Sequence, residues 1–175
     1  MKKIIVMLIA VMTAVVLCAC GGEKQITGDA GQGGQTAGKA AGGYLFETKG
    51  TKVEIDSEMS KIEDALGEPI SYFESESCAI GDLDKVYTYS GFRIDTYQFD
   101  GIDYISDVIF TDDTISTPEG ASIGDSVDNV KEIYGEPTSE DDQRLIYEKG
   151  EMKLVFLIDG TTVNTIEYLT KKLEA

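Results

Sequence analysis

Residues 123–137 read IGDSVDNVKEIYGEP, and residues 55–69 read IDSEMSKIEDALGEP, with the Gly-Glu-Pro ending in register. Each stretch is typical of a short helix, in which Asp125 can cap the first free amides of the later copy and the closing Gly and Pro stop both. Apolar side chains recur at helical spacing: Val127, Val130, Ile133 and Tyr134 in the later copy, and Met59, Ile62, Ala65 and Leu66 in the earlier one. Helices this short are marginal alone, so their apolar stripes must pack against another element.

Each predicted helix is followed by segments typical of β-strands, against which its apolar stripe can pack. After the first they are residues 84–89, 92–99 and 105–111, and after the second they are 144–148, 152–158 and 162–169. A further strand or extended arm is predicted before the first helix, and residues 71–78 suggest another strand after it. Alternation is clean over 152–158 but changes phase within 92–99, which favours a bulge there.

These patterns predict an α+β fold of two tandem repeats, each a helix followed by an antiparallel meander. The first repeat would span residues 44–115 and the second residues 116–175. A helix laid across one sheet face makes a two-layer unit. Because units of this size are small for independent stability, we expect the repeats to share a core or a continuous sheet.

The N-terminal residues have the pattern of an export signal that ends in a lipidation site. Lys2 and Lys3 precede an apolar run that is too short for a normal membrane span. The run ends in Leu17-Cys18-Ala19-Cys20, which resembles the lipobox of bacterial lipoproteins. The resemblance implies that residues 1–19 are a lipoprotein signal peptide. It also implies that Cys20 carries diacylglycerol and acyl chains such as palmitate, which anchor the chain to the outer face of the cell membrane.

The mature chain would begin with a flexible tether and continue with an acidic, cysteine-poor domain. Residues 20–43 are rich in Gly and have almost no large apolar side chain, so they predict a tether with an end-to-end distance of about 25–30 Å. Cys78 would then be the domain's single cysteine, which favours a buried, inert thiol over a reactive one.

The amino-acid composition makes several classes of function improbable for this chain. The net charge of −17 makes nucleic acid a poor partner, because phosphate binding needs basic patches. The chain has no histidine, which removes the usual neutral-pH general base and histidine metal sites. None of the acidic clusters has the spacing of a calcium loop, and no glycine-rich phosphate loop follows a strand. We therefore predict a protein that is not an enzyme and uses no metal or cofactor.

The duplicated motif resembles a known group of envelope proteins. Six residues of the later copy carry the likeness: Gly124, Ser126, Val130, Tyr134, Gly135 and Pro137. It is to the small lipoprotein of the outer-membrane barrel-assembly machine and to the tandem repeats of β-lactamase inhibitor protein. The first copy departs from the pattern, since Asp56 stands where the motif has glycine. The resemblance implies a non-enzymatic, protein-binding envelope lipoprotein, and its motifs are structural rather than catalytic.

Tyrosines are the candidate binding residues. Tyr87 and Tyr89 share one face of a predicted strand, and Tyr97 is expected across from them. These rings could anchor a protein partner or could fill the interface between helix and sheet. The predicted function is a membrane-anchored, extracytoplasmic scaffold or binding module with an envelope protein as partner. The alternative is an inhibitor of a secreted or envelope hydrolase, with a loop carboxylate mimicking an acidic ligand.

Overall fold

The computed structural model describes residues 42–76 and 83–174. The predicted signal peptide, Cys20, nearly all of the tether and Cys78 lie outside the described residues. The described part belongs to one compact unit.

Ten strands make up most of the described structure. They are β1 (Phe46–Thr48), β2 (Thr51–Val53), β3 (Ser71–Glu76), β4 (Leu83–Thr88), β5 (Phe92–Phe99), β6 (Ile102–Phe110), β7 (Ser139–Asp141), β8 (Arg144–Lys149), β9 (Met152–Asp159) and β10 (Thr162–Thr170). In the part of the chain that the structure describes, strands β1 and β2 pair only with each other, as a two-stranded sheet. The other strands form one eight-stranded sheet in the order β3-β4-β5-β6-β10-β9-β8-β7. All neighbours in this sheet are antiparallel.

Helical structure is sparse. A 3-10 turn at Met59–Lys61 leads into α1 (Glu63–Leu66), and α2 spans Val127–Tyr134. Ser126 caps α2, because its Oγ accepts a hydrogen bond from the amide of Asn129 at 3.2 Å. The prediction that Asp125 caps this helix is wrong, since its Oδ2 instead accepts from the amide of Ser122 at 2.8 Å.

The predicted α+β class, with a helix-plus-meander repeat, is wrong. Strands account for 51% of the described residues and helices for 12%, so the chain is mostly β. The first motif copy fails as a helix for a local reason. Ile62 has φ −120° and ψ −12°, which interrupts the helix between the 3-10 turn and α1, and no side chain caps either segment. One turn of helix cannot form a layer over a sheet.

Two strands join the halves of the sheet. β6 and β10 pair over three positions, of which Val108↔Tyr168 is the central one. Phe46 of the β1–β2 hairpin covers this join, with ring centroids 5.3 Å from Phe110 and 5.9 Å from Tyr168. Phe46 and Val108 are fully buried, and the exposed fraction of Tyr168 is 1%. The core is therefore continuous across the join.

A register shift interrupts the pairing of β5 with β6. Asp95 lies opposite Asp107, whereas Thr96 lies opposite Ile105, so Ser106 is the extra residue. The predicted irregularity is present at this position, but the bulged residue belongs to β6 rather than β5. Because β5 itself alternates without a break, its Tyr97 lies on the face opposite Ile94.

Both ends of the described chain contact the turn between β8 and β9. Near the start, the carbonyl of Gly43 accepts a hydrogen bond from Lys149 Nζ at 2.8 Å. Near the end, the amide of Lys171 donates to the carbonyl of Glu151 at 2.9 Å. The two ends of the described chain therefore lie near the same turn.

Candidate functional site

One face of the large sheet is covered and the other is open. The covered face holds the core, where Ile94, Val108 and Leu154 pack with Met59 and Val130 from the helical segments. Successive side chains of a strand point to opposite faces, so the residues that alternate with the core residues form the second face, which we call the open face. Its aliphatic side chains lie outside the core cluster: Val86, Ile109, Ile146, Val155, Leu157 and Leu169. All but Val155 are only half-buried. Apolar side chains on a face that no described helix covers are available to a partner.

A group of charged side chains lies at the centre of the open face, on β5, β6 and β10. We call Arg93, Asp95, Asp107 and Glu167 the Arg93 cluster. The strand register aligns them, since Arg93 and Glu167 both lie opposite Ile109, and Asp95 lies opposite Asp107. Arg93 Nη2 donates to Asp95 Oδ2 at 3.0 Å. The cluster combines one cation with three acids, so it carries an excess of negative charge.

Partial burial disfavours that negative charge. Burial raises the pKa of Asp107 to about 6, although the Ser106 hydroxyl donates to its Oδ2 at 2.9 Å and opposes the shift. Burial also raises the pKa of Asp95 and of Glu167, and the Arg93 guanidinium opposes both shifts. Asp95 Oδ1 and Arg93 Nε have no hydrogen-bond partner among the described residues. The cluster thus has unused hydrogen-bonding capacity and charges that an added cation would stabilise.

The predicted binding tyrosines are all buried. The exposed fractions are 5% for Tyr87, 6% for Tyr89 and 8% for Tyr97. Tyr89 stacks on Phe92 with centroids 5.1 Å apart, on the covered face. Burial, with the nearby Glu63 carboxylate, raises the pKa of Tyr87 to about 12. These rings are not exposed as the binding hypothesis requires, and the structure does not bring the three together.

Tyr97 belongs to a different environment, beside an apolar cleft at one end of the open face. Its hydroxyl donates to Asp56 Oδ1 at 3.1 Å, and its ring stacks on Tyr104 at 5.6 Å. The cleft, which we call the end cleft, has a volume of about 460 Å³ and is lined by Tyr97, Phe99, Tyr104, Lys172 and Leu173. Sequence reasoning missed it. The available signal was the pair of large apolar residues, Phe99 and Ile102, that directly flank an Asp-Gly turn.

Two further observations concern the described residues alone. No group of three or more acidic or cysteine side chains among them is arranged to hold a metal ion. No helix within residues 42–76 and 83–174 is long and apolar enough to span a membrane.

Comparison of the chain with protein-family models, with curated proteins and with solved structures finds no match. The function is therefore inferred from the sequence of the chain and from the geometry of its described residues.

Proposed function

We propose that this chain is a non-enzymatic, lipid-anchored extracytoplasmic protein that binds another envelope protein through the open face of its sheet. The observation that carries the proposal is the combination found on that face. Half-buried aliphatic side chains surround a charged cluster with unused hydrogen-bonding capacity. Apolar contact supplies affinity in protein interfaces, whereas a central charged group supplies orientation and selectivity.

The anchoring part of the proposal is supported by the sequence. The lipobox-like residues Leu17 to Cys20 follow a basic and then an apolar segment. Two acyl chains hold a protein at a membrane far more firmly than one chain does. The absence of histidine from the sequence supports a binding role over a catalytic one.

Site-directed photo-cross-linking in the source cell tests the binding face. A photoreactive amino acid would replace Val86 or Ile146, which lie on the open face on either side of the Arg93 cluster. Matched controls would replace Glu47 or Glu132, which are exposed on β1 and α2. We expect both open-face positions to yield an adduct with the same protein and the controls to yield none. Absence of an adduct at both open-face positions, or the same adduct from the controls, would contradict the proposal.

The identity of the cross-linked protein separates the two predicted binding roles. A structural or transport protein of the envelope would support a scaffold. A hydrolase whose activity falls in proportion to added protein would support the inhibitor alternative.

Metabolic labelling tests the anchor separately. Cells expressing the full chain would be fed a labelled fatty acid, and the wild type would be compared with Cys20→Ser. We expect label and membrane association in the wild type and loss of both in the variant. Equal labelling of the two chains would rule out Cys20 as the lipidation site.

A further inference from the structure

β3 is an exposed edge of the large sheet. Among the described residues it pairs with β4 alone, over six consecutive positions from Ser71↔Thr88 to Glu76↔Leu83, with no register shift. Every residue of β3 is exposed. An outer strand of this kind presents a row of unpaired backbone N–H and C=O groups along its free side.

The opposite edge of the sheet is built differently. There β7 has only three residues, Ser139–Asp141, and two of them are acidic. Short, charged edge strands are a common protection against unwanted pairing. β3 has twice that length and contains no lysine, proline or bulge. Each edge strand contains two acids, so the two described edges differ chiefly in length, and the longer one, β3, is the one more open to pairing.

The side chains of β3 favour a specific pattern in any strand that pairs with it. Glu74 and Glu76 lie on the same face as Tyr72, whose hydroxyl donates to Glu74 Oε2 at 2.6 Å. Phe73 lies on the other face between two serines, and 61% of its surface is exposed. Cross-strand neighbours share a face, so an added strand would meet acids on one side and an aromatic ring on the other.

The charge around β3 selects between possible occupants. The segment from Ile62 to Glu76 contains five acidic residues and no basic one: Glu63, Asp64, Glu68, Glu74 and Glu76. A second copy pairing through β3 would bring two acidic edges together, which is unfavourable because like charges repel. A strand with basic side chains on the matching face would gain attraction instead.

We propose that β3 accepts an extended segment of a partner protein as a ninth strand of the sheet. The segment's basic side chains would lie beside Glu74 and Glu76, and its apolar side chains would lie beside Phe73. This inference rests on the proposed protein-binding role and adds a second contact with a defined chemistry. Main-chain hydrogen bonds supply affinity in this mode, and alternate side chains supply specificity.

A labelled peptide that alternates lysine and valine tests the proposal against the full-length chain in detergent. Fluorescence anisotropy would measure binding, and hydrogen exchange would locate it. We expect saturable binding with exchange of the Ser71–Glu76 amides slowed by roughly tenfold or more at saturation. A control peptide of the same sequence in which every backbone nitrogen is methylated has the same charge but cannot donate hydrogen bonds to β3, so we expect no measurable binding from it.

Variants at the two edges of the sheet provide the matched comparison. Glu74→Lys combined with Glu76→Lys should weaken peptide binding roughly tenfold, and Phe73→Ser should weaken it by a factor of about five. The corresponding change at the other edge, Glu140→Lys with Asp141→Lys, should leave the affinity within about twofold, because it breaks exposed ion pairs with Lys131 and Arg144 at the edge opposite β3. Circular dichroism would confirm that each variant folds.

Several outcomes would overturn the proposal. These are equal binding of the N-methylated peptide, unchanged binding to the β3 variants, exchange that is slowed elsewhere in the sheet but not at Ser71–Glu76, and peptide-blocked dimers of the chain in sedimentation. The outcome is distinguishable from that of the proposed function. Photo-cross-links from Ile146 on β8 report on the open face whether or not the peptide binds, whereas Val86 lies opposite Phe73 and is close to both surfaces.

Discussion

At the scale of single residues, Asp56 connects three parts of the chain. Its backbone adopts the left-handed region, with φ +64°. Its carboxylate accepts hydrogen bonds from the hydroxyls of Tyr97 at 3.1 Å and Thr170 at 2.9 Å, and Lys172 Nζ lies 3.3 Å from it. Both hydroxyl partners belong to buried residues. Asp56 therefore fixes the end of β10 against β5.

Replacing Asp56 tests this role. Asp56→Ala should lower the free energy of unfolding by about 3–4 kcal/mol, because it leaves two buried hydroxyls without an acceptor and puts alanine at a positive φ. Asp100→Ala is the matched control, since Asp100 has φ +51° but lies in an exposed turn. We expect a loss of about 1 kcal/mol there. Urea denaturation measures both, and equal losses would show that the hydrogen bonds contribute little.

Asp107 predicts a pH dependence of stability. Its folded-state pKa of about 6 lies above the unfolded value of 3.8, so the folded state binds the proton more tightly between these pH values. Its contribution to stability is fully present below the unfolded pKa and is lost as the pH rises through the folded pKa. From about pH 5 to about pH 7.5 we expect a loss of about 1 kcal/mol from this residue.

Asp107→Asn isolates that contribution. The variant should lack this part of the pH dependence and should be more stable than the wild type at neutral pH, because no charge remains to be buried. Urea unfolding at several pH values measures the difference. Parallel curves for the two proteins would refute the assignment to Asp107.

The same residues show where sequence reasoning fails at this scale. The sequence leaves two roles open for the tyrosines, an exposed binding patch or a filled core, and Tyr87 and Tyr89 take the second. The Arg93 cluster could not be predicted, because its members are separated in sequence and are brought together by strand register alone. A one-residue difference in register would have placed Asp107 on the opposite face.

At the scale of elements, the turn between β4 and β5 is tightly constrained. Gly91 is buried, has φ +87°, and its carbonyl accepts from the amide of Thr111 at 2.9 Å. A Cβ at this position would lie 2.9 Å from Ile115 Cγ2 and from Thr114 Oγ1. The turn thus packs tightly against the loop that follows β6.

A pair of glycine substitutions separates packing from backbone strain. Gly91→Ala should cost about 2–4 kcal/mol, because both the positive φ and the close contacts oppose a side chain. Gly101→Ala should cost about 1 kcal/mol, since Gly101 has φ +77° but nothing lies within 4 Å of the added Cβ. Thermal denaturation ranks the two, and a larger loss at Gly101 would contradict this account.

Strands were easier to predict than helices for a physical reason. Turn residues and alternating apolar positions are local signals, so the predicted strand at 92–99 matches β5 and the one at 152–158 lies within β9. The helix signal is weaker, because capping and periodicity do not guarantee that a turn propagates. The motif at 123–137 forms an eight-residue helix, whereas the one at 55–69 forms a single turn.

At the scale of the whole molecule, Phe46 holds the two halves of the sheet together. It contacts Phe92 and Phe110 in one half and Tyr168 in the other, and it is fully buried. Since β6 and β10 pair over only three positions, packing above the join contributes much of its stability.

Truncating Phe46 should therefore destabilise the entire fold. We expect Phe46→Ala to cost about 3–5 kcal/mol while unfolding remains a single transition. Tyr72→Ala, which removes an aromatic ring with 47% of its surface exposed, should cost far less. Denaturation followed by both near-ultraviolet and far-ultraviolet circular dichroism measures this. Separate transitions for the two probes would show that the halves unfold independently.

The predicted fold class is wrong at this scale because each copy of the motif predicts a helix that packs on the sheet. Only the second copy forms an α-helix of more than one turn. Sequence patterns also do not predict the pairing of β6 with β10. Alternation of apolar and polar residues shows that a strand has two faces, but it does not show which strand lies beside it. Assembly of the open face follows from that one pairing.

The shared position of the two ends of the described chain at the β8–β9 turn has a consequence for circular permutation. A short linker from Lys172 to Gly42 would close the chain, and new termini could be opened at Asp112–Asp113, between the two halves. Every strand pair would survive, with the two meanders in reversed chain order. We expect the permuted domain to fold with the same far-ultraviolet spectrum and a free energy of unfolding lower by no more than about 1–2 kcal/mol. Failure to fold would mean that β3 to β6 must be synthesised before β7 to β10. Success would show that spatial order alone specifies the sheet.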